Sequence, residues 1–406
     1  MPRRSLAALI FVLCVLPAFA QTSAEKKDRH FTFHYAFTVK NVSPGERVRV
    51  WIPLAQSDAF QDVKVTARSG DLPLKEVRQS EYGNEVLYAE AAKADKGEYT
   101  FSVEYDVVRR EHVVLVNGKP APDVHSEHSP RIQLTRFLEP DRLVPVTGVP
   151  AQLAVEQTKS ATTQLEKAKD IYEYVFRTMK YDKSGTGWGH GDTLWACDSK
   201  HGNCTDFHSV FISMARSQKI PARFEIGFPL PADKTSAEIP GYHCWAEFYL
   251  DSTGWVPVDI SEAWKHQEKH DYFFGAHDVN RVQFTQGRDL KLSPAQDGAP
   301  LNYFVYPYVE VGGKEHANVS IAFSFEDVGG KAAIASSSKL VWRGPSCPRP
   351  RGVRVLHAGG QECSRHTILA KIHASGNAIS QERAMPKDVI EREIPNAVIG
   401  STTAEG

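Results

Sequence analysis

The segment Gly202–Asp206 carries a cysteine where a glycine-rich loop is predicted to become a helix. Asn203 is a favoured N-cap residue, so Cys204 should lie in the first turn, among backbone N–H groups without intrahelical acceptors. That position lowers the pKa of a thiol and supplies donors for an oxyanion. A small, inert core cysteine fits the same pattern, so this segment alone leaves the chemistry open.

A second segment supplies a histidine. Residues 242–250 are predicted to form a strand, in which His243, Trp245 and Glu247 share one face. Cys244 belongs to the opposite, uniformly apolar face, so it is predicted to lie in the core. His243 fits either a structural histidine or a general base, and the choice depends on what its face of the sheet contacts.

A third segment, Gly254–Asp259, ends in an aspartate and follows turn residues, so it should pair antiparallel with the preceding strand. The register of this hairpin decides whether Asp259 reaches His243. A four-residue loop places Asp259 on the wrong face. Pairing of Tyr249 with Trp255 instead places Asp259 diagonal to His243 on the same face, at a spacing of ~7–8 Å that two side chains can bridge.

Cys204, His243 and Asp259 then have the residue types of a nucleophile, a general base and the carboxylate that orients the base. The motifs Gly202–Asp206, His243–Glu247 and Gly254–Asp259 resemble, in order and spacing, those of the transglutaminase-like superfamily. The resemblance covers about residues 160–262. It implies an α+β fold with a papain-like core, in which Cys204, His243 and Asp259 are catalytic.

The resemblance also implies a reaction. The thiolate attacks an amide, an amine leaves, and water or another amine captures the thioester. Family members draw an oxyanion contact from a side chain upstream of the cysteine, for which Trp188 and Trp195 are candidates. No acidic cluster matches the calcium sites of the large animal transglutaminases, so neither a cofactor nor a metal is expected.

Two other interpretations stay open. His201, Cys204 and His208 have the spacing H-x2-C-x3-H, and zinc takes such ligands, with Cys197 or His243 as a fourth. Alternatively, the fold is a non-catalytic module that binds peptide or glycan and keeps an idle triad.

The surrounding chain must position these residues. Alternating apolar residues at Phe31, Phe33, Tyr35 and Phe37 begin a series of short strands that predicts an antiparallel β-sandwich. Farther on, Thr163 and Glu166 have the spacing of a capping box at the start of a helix. The predicted organisation is a β-sandwich-like domain at 21–110, a linker at 111–150, the catalytic core at 151–275, a β-rich extension at 276–328 and a poorly ordered tail at 329–406.

The first twenty residues have the three parts of a secretory signal peptide. Arg3 and Arg4 precede an apolar stretch at 6–16, and Ala18-Phe19-Ala20 is a cleavage motif. The mature protein is therefore predicted to be periplasmic or secreted. Five cysteines remain after cleavage, an odd number that leaves one thiol unpaired within the chain. Two disulfides are conceivable, Cys347 with Cys363 and Cys197 with Cys244.

The composition limits the classes of partner that the protein can have. The 406 residues include 48 Lys and Arg against 49 Asp and Glu, so nothing suggests a nucleic-acid partner. No apolar run reaches the roughly 18–20 residues of a membrane span. The sequence therefore predicts an exported cysteine-dependent amide hydrolase or acyl transferase, which would act like a peptidase or like a transglutaminase. Its substrate is a protein, a peptide or peptidoglycan, and hydrolysis is favoured because no amine-donor site is recognisable.

Overall fold

The computed structural model describes residues 27–122 and 134–329. The predicted signal peptide at 1–20, part of the predicted linker, and the predicted tail from residue 330 onward lie outside these residues. The Cys347–Cys363 pairing falls in the same undescribed part of the chain.

The described residues form twenty strands, of which many are only two to four residues long. In chain order they are β1 Asp28–Val39, β2 Val48–Pro53, β3 Gln61–Gly70, β4 Lys75–Arg78, β5 Glu85–Ala91, β6 Tyr99–Arg110, β7 His112–Val113, β8 Leu115–Val116, β9 Lys119–Pro120, β10 Lys180–Tyr181, β11 His201–Gly202, β12 Ala222–Pro229, β13 Ser236–Glu238, β14 His243–Leu250, β15 Gly254–Val258, β16 Ala276–His277, β17 Arg281–Gln286, β18 Tyr308–Val311, β19 Lys314–Glu315 and β20 Val319–Asp327.

Four of the five described helices lie between β9 and β12 in the chain, and the fifth follows β15. They are α1 Val149–Gln157, α2 Gln164–Thr178, α3 Thr193–Ser199, α4 Cys204–Ser217 and α5 Ile260–Lys265, with 3-10 turns at Arg136–Leu138 and Gln267–Lys269. Within residues 27–122 and 134–329, no helix combines the length and the apolar character that crossing a bilayer requires.

Two five-stranded antiparallel sheets contain the N-terminal strands, as the sequence predicts. Their orders are β13-β20-β1-β6-β3 and β19-β18-β2-β5-β4. Buried and more exposed residues alternate along β1 and β6, and buried residues from both sheets join one hydrophobic cluster. Strands β18, β19 and β20 lie in the predicted extension, yet β20 pairs with β1, β18 pairs with β2, and β19 pairs with β18. The extension therefore completes the N-terminal sheets, because β1 and β2 each have an edge that needs a partner.

The segments that carry His243 and Asp259 belong to a separate antiparallel sheet in the order β15-β14-β12-β17. Helix α4 packs against β14 and β12. Every residue of β14 and β15 is buried, so this sheet is covered on both faces. Strand β17 belongs to the sheet although it lies beyond the predicted core boundary at residue 275.

Local signals in the sequence placed the long helices correctly. Helix α2 begins at the predicted capping box, in which the Thr163 hydroxyl accepts from the Glu166 amide. Helix α1 and the two shorter helices α3 and α5 were not predicted. Residues 184–200 were expected to be loop, but Asp192 accepts from the amides of Leu194 and Trp195 and so caps α3.

Candidate active site

Cys204 is the first residue of helix α4, as the sequence predicts. The Asn203 side chain accepts from the Thr205 amide at 2.9 Å, and the Asp206 carboxylate accepts from the Asn203 amide at 2.9 Å. This capping box fixes the first turn and leaves the Cys204 amide at the head of the helix, where no intrahelical acceptor exists. Cys204 exposes only 2% of its surface, so the thiol lies just below the surface of the protein.

Asp206 also anchors the glycine-rich loop beside the cysteine. Its buried carboxylate accepts from the amides of Gly189 at 2.7 Å and Gly191 at 2.9 Å. Burial raises the pKa of Asp206 to about 6, although these backbone bonds favour the ionised form. From the other side, Arg288 donates to the Gly191 carbonyl at 3.0 Å. The loop is therefore held at both its amides and its carbonyls, which the sequence did not reveal.

The hairpin β14–β15 has the register that the catalytic interpretation requires. Tyr249 pairs with Trp255 and Ala246 pairs with Val258, so Asp259 follows the strand on the face of His243. The two side chains meet there, with Nε2 of His243 2.7 Å from Oδ2 of Asp259. The predicted condition on the register is therefore confirmed.

Asp259 has further partners that keep it ionised. Arg281 donates to Oδ2 at 3.0 Å, while the Ser261 hydroxyl and the Glu262 amide each donate to Oδ1 at 3.1 Å. Burial would raise the pKa of Asp259, but the charges of His243 and Arg281 outweigh it and hold the pKa well below its ordinary range. Asp259 thus caps helix α5 and binds the imidazole at once. Arg281 was not predicted as a site residue, because it follows the predicted core boundary and carries no motif.

Cys204 and His243 shift each other's pKa. Burial would raise the pKa of the Cys204 thiol, but hydrogen bonds with Cys244 and His243 and the charges of His243 and Lys265 lower it well below its ordinary value. Burial would lower the pKa of His243, but the charge and hydrogen bond of Asp259 raise it to about 10. Both shifts favour a thiolate beside an imidazolium. Because Nε2 of His243 faces Asp259, Nδ1 is the nitrogen left for the thiol.

Cys244 lies in the core, as predicted, and also contacts the site. Its sulfur is 3.6 Å from the Thr205 hydroxyl and 3.9 Å from Nδ1 of His208. Cys197, Cys204 and Cys244 are free thiols, so the conceivable Cys197–Cys244 disulfide is not formed.

The conceivable zinc set is not assembled. Nε2 of His208 accepts from the Ile260 amide at 3.1 Å, and burial lowers the pKa of this imidazole to about 4. Nδ1 of His201 instead lies 3.2 Å from the Asp182 carbonyl oxygen. His201, Cys204 and His208 therefore do not offer their ligand atoms to a common point, and the zinc interpretation of these residues is wrong.

The aromatic residues around the thiol differ from the expected ones. Trp195 packs edge-on against His201, and Trp188 lies near the Lys183 ammonium. Tyr242 is closer to the catalytic helix, since its hydroxyl lies 3.0 Å from Nδ2 of Asn203. The residue before His243 therefore joins the hairpin to the N-cap of α4, a role without a sequence signal.

A solved structure shares this fold. A candidate cysteine protease from Cytophaga hutchinsonii is similar over 75% of this chain and 92% of its own, with a TM-score of 0.51 and 15% identity. At that identity the likeness supports the fold alone. The periplasmic domain of TgpA from Pseudomonas aeruginosa matches with a TM-score of 0.28 and 14% identity over 59% of this chain and 92% of its own.

Sequence comparisons agree with the site. Residues 151–260 match the profile of the transglutaminase-like superfamily. An uncharacterized protein of Haemophilus influenzae is 30% identical over 353 residues, which cover 77% of this chain and 94% of the relative. The matched region contains the helix with Cys204, the strand with His243 and the residue that binds it, Asp259. The chain belongs to the transglutaminase-like superfamily.

Proposed function

We propose that this protein is a cysteine-dependent enzyme that cleaves or transfers an amide bond through a thioester on Cys204. The observation that carries the proposal is the linked series of the Cys204 thiol, the His243 imidazole and the Asp259 carboxylate, with 2.7 Å between the last two. A thiolate and an imidazolium are the reactants that acyl transfer needs.

In the proposed reaction, Sγ of Cys204 attacks the carbonyl carbon of a substrate amide. The oxyanion that forms accepts from the Cys204 amide at the head of α4. The C–N bond then breaks, and the His243 imidazolium gives its proton to the departing amine. Water attacks the thioester next, and His243 removes the proton of this water. The C–S bond then breaks, which releases the acid and restores the Cys204 thiolate beside the His243 imidazolium. Asp259 holds the imidazole in position and stabilises its charge throughout.

The surroundings of Cys204 support a substrate that presents an acyl group between aromatic side chains. Burial and the nearby Cys204 charge raise the pKa of Tyr242, so it stays a neutral phenol. Lys265 lies 4.1 Å from the centre of the Tyr181 ring, and both side chains are partly exposed. Both side chains lie near the thiol, since their pKa values respond to the Cys204 charge. We favour hydrolysis over amine transfer, because water is the abundant acceptor and the sequence has no recognisable amine-donor site.

We also propose that the enzyme acts outside the cytoplasm. The support is the charged, apolar and A-x-A order of residues 3–20, which is typical of a secretory signal peptide. Proteins, peptides and peptidoglycan are amide substrates available to such an enzyme.

The proposal is tested by trapping the acyl group. The full chain is incubated with a peptide library or with peptidoglycan fragments, quenched in acid and digested, and Cys204 is examined by mass spectrometry. We expect an acyl adduct on Cys204, which is absent in Cys204→Ala. Cys197→Ala is the matched control, because Cys197 is a buried thiol on helix α3 and should leave acylation intact. Substrate binding without any adduct would contradict the enzyme and favour a non-catalytic module.

A further inference from the structure

A second cluster of buried polar side chains lies beyond Trp245, on the side away from His243. His112 of β7, Glu247 of β14 and His277 of β16 offer one ligand atom each, and these atoms lie within 4.8 Å of one another. His112 exposes 3%, Glu247 2% and His277 0% of its surface. The cluster joins three segments that are far apart in sequence.

The imidazoles of this cluster lack hydrogen-bond partners. Both ring nitrogens of His277, and Nε2 of His112, have none among the described residues. Buried polar atoms in native proteins are nearly always paired, so three orphaned nitrogens in one place call for a ligand.

Glu247 is already oriented for such a ligand. Arg223 binds its Oε2, with the guanidinium 2.6 Å away, whereas Oε1 lies 3.5 Å from Nδ1 of His112. A ligating carboxylate held by a hydrogen bond on its second oxygen is the usual arrangement in metal sites.

Carboxylates offset part of the positive charge around the cluster. Arg109, Arg223 and Arg281 are the guanidiniums that lie near His112. Arg223 pairs with Glu225 at 3.0 Å and Arg281 pairs with Asp259 at 3.0 Å, while Arg109 donates to Oε1 of Gln61 at 3.3 Å. The two ion pairs therefore reduce the repulsion that these guanidiniums exert on a cation.

We propose that His112, Glu247 and His277 bind a first-row divalent metal, with Zn²⁺ the best match to two imidazoles and a carboxylate. Ligand atoms on one Zn²⁺ lie about 3.4 Å apart, so side-chain shifts on the order of 1 Å would close the site. Because the ligands are fully buried, the metal is structural. It connects β7, which follows the last strand of the N-terminal sheets, to the sheet that contains β14. This inference does not rest on the proposed enzyme activity.

The test uses the full chain with Cys204→Ala, so that the catalytic thiol cannot hold metal. The protein is stripped with a chelator, then supplied with Zn²⁺ alone, both folded and during refolding from urea, and desalted for elemental analysis. We expect about one tightly held Zn²⁺ per chain, a rise in melting temperature, and at least about tenfold weaker binding after His277→Gln or Glu247→Gln. The exposed His30→Gln is the matched control and should change nothing.

Circular dichroism and urea unfolding show which variants fold. If His277→Gln does not fold, His112→Gln and Co²⁺ replace it. Co²⁺ bound to the Cys204→Ala protein should give visible d–d absorption without a sulfur-to-cobalt charge-transfer band. Failure to retain Zn²⁺ or Co²⁺ after both loading procedures would overturn the proposal. So would retention that is unchanged in folded His277→Gln, or a strong sulfur-to-cobalt band.

Discussion

Two buried histidines contact the Trp245 ring from different sides, and their charges differ. His243 lies 5.9 Å from Trp245 and His277 lies 5.6 Å from it, centroid to centroid. Burial lowers the pKa of both imidazoles, but Asp259 raises that of His243 to about 10, whereas that of His277 stays well below its ordinary value. A carboxylate in hydrogen-bond contact, rather than burial, therefore decides which histidine carries a proton.

His208 refines this comparison. It lies 3.7 Å from Oδ1 of Asp259, against 2.7 Å between His243 and Oδ2 of the same carboxylate. Burial nevertheless lowers the pKa of His208 to about 4. The histidine that is hydrogen-bonded to Asp259 has a raised pKa, whereas the one that lies about 1 Å farther from the carboxylate has a lowered pKa. This difference supports His243, rather than His208, as the proposed base.

Removing the sulfur should have the largest effect on the reaction. Cys204→Ala is expected to lower turnover by at least about 10³-fold, because water attack without the nucleophile retains only the binding contribution. The melting temperature should change little, since one small side chain is truncated. Steady-state kinetics and a thermal melt measure both. Unfolding of Cys204→Ala would instead show that this cysteine is structural.

The second-largest effect on the reaction is expected when the contact between His243 and Asp259 is broken. Asp259→Asn is expected to lower kcat on the order of 10²-fold, since the imidazole loses its orienting carboxylate. The His243 pKa should fall toward that of an ordinary histidine, so the alkaline limb of the pH–rate profile moves to lower pH. Kinetics between pH 5 and 10 would detect this. An unmoved limb would mean that Asp259 does not set the charge of His243.

Arg281→Met should affect folding more than the chemical step. It leaves the buried Asp259 carboxylate without its guanidinium, and breaking a buried pair in this way costs about 3–5 kcal/mol. Urea unfolding at pH 7 measures the loss. The exposed Arg110 pairs with Asp62 and is the matched control, for which Arg110→Met should leave the unfolding midpoint nearly unchanged.

The smallest effect is expected for an exposed pair of the same chemistry. His30 and Asp106 lie 3.0 Å apart, with side chains 42% and 41% exposed. Solvent screens such pairs, so His30→Gln should leave both the melting temperature and the activity unchanged. A clear loss of stability in a thermal melt would show that distance alone, without burial, makes a histidine–carboxylate contact important here.

Local rules in the sequence predict where the three proposed catalytic residues lie in the fold. An N-cap asparagine puts Cys204 at the head of a helix, and the alternation of a strand puts His243 and Asp259 on one face once Tyr249 pairs with Trp255. Hairpin register was the one uncertain step, and the structure decided it.

The supporting contacts could not be predicted in the same way. Arg281 reaches Asp259 from a strand beyond the motif region, and β20 pairs with β1 across nearly the whole described chain. The Asp206 carboxylate finds its loop amides only after the loop has folded back onto α4. Such contacts form between segments that are far apart in the sequence, so no local sequence pattern predicts them.

The most direct measurement is the pH dependence of Cys204 alkylation by iodoacetamide, followed site by site with mass spectrometry. The lowered pKa of Cys204 keeps the thiolate as pH falls through neutrality, and His243 keeps its proton until about pH 10. We therefore expect a rate constant that is level from about pH 6 to 9. A rate that climbs about tenfold per pH unit toward the value near 9 of an ordinary thiol would contradict the ion pair.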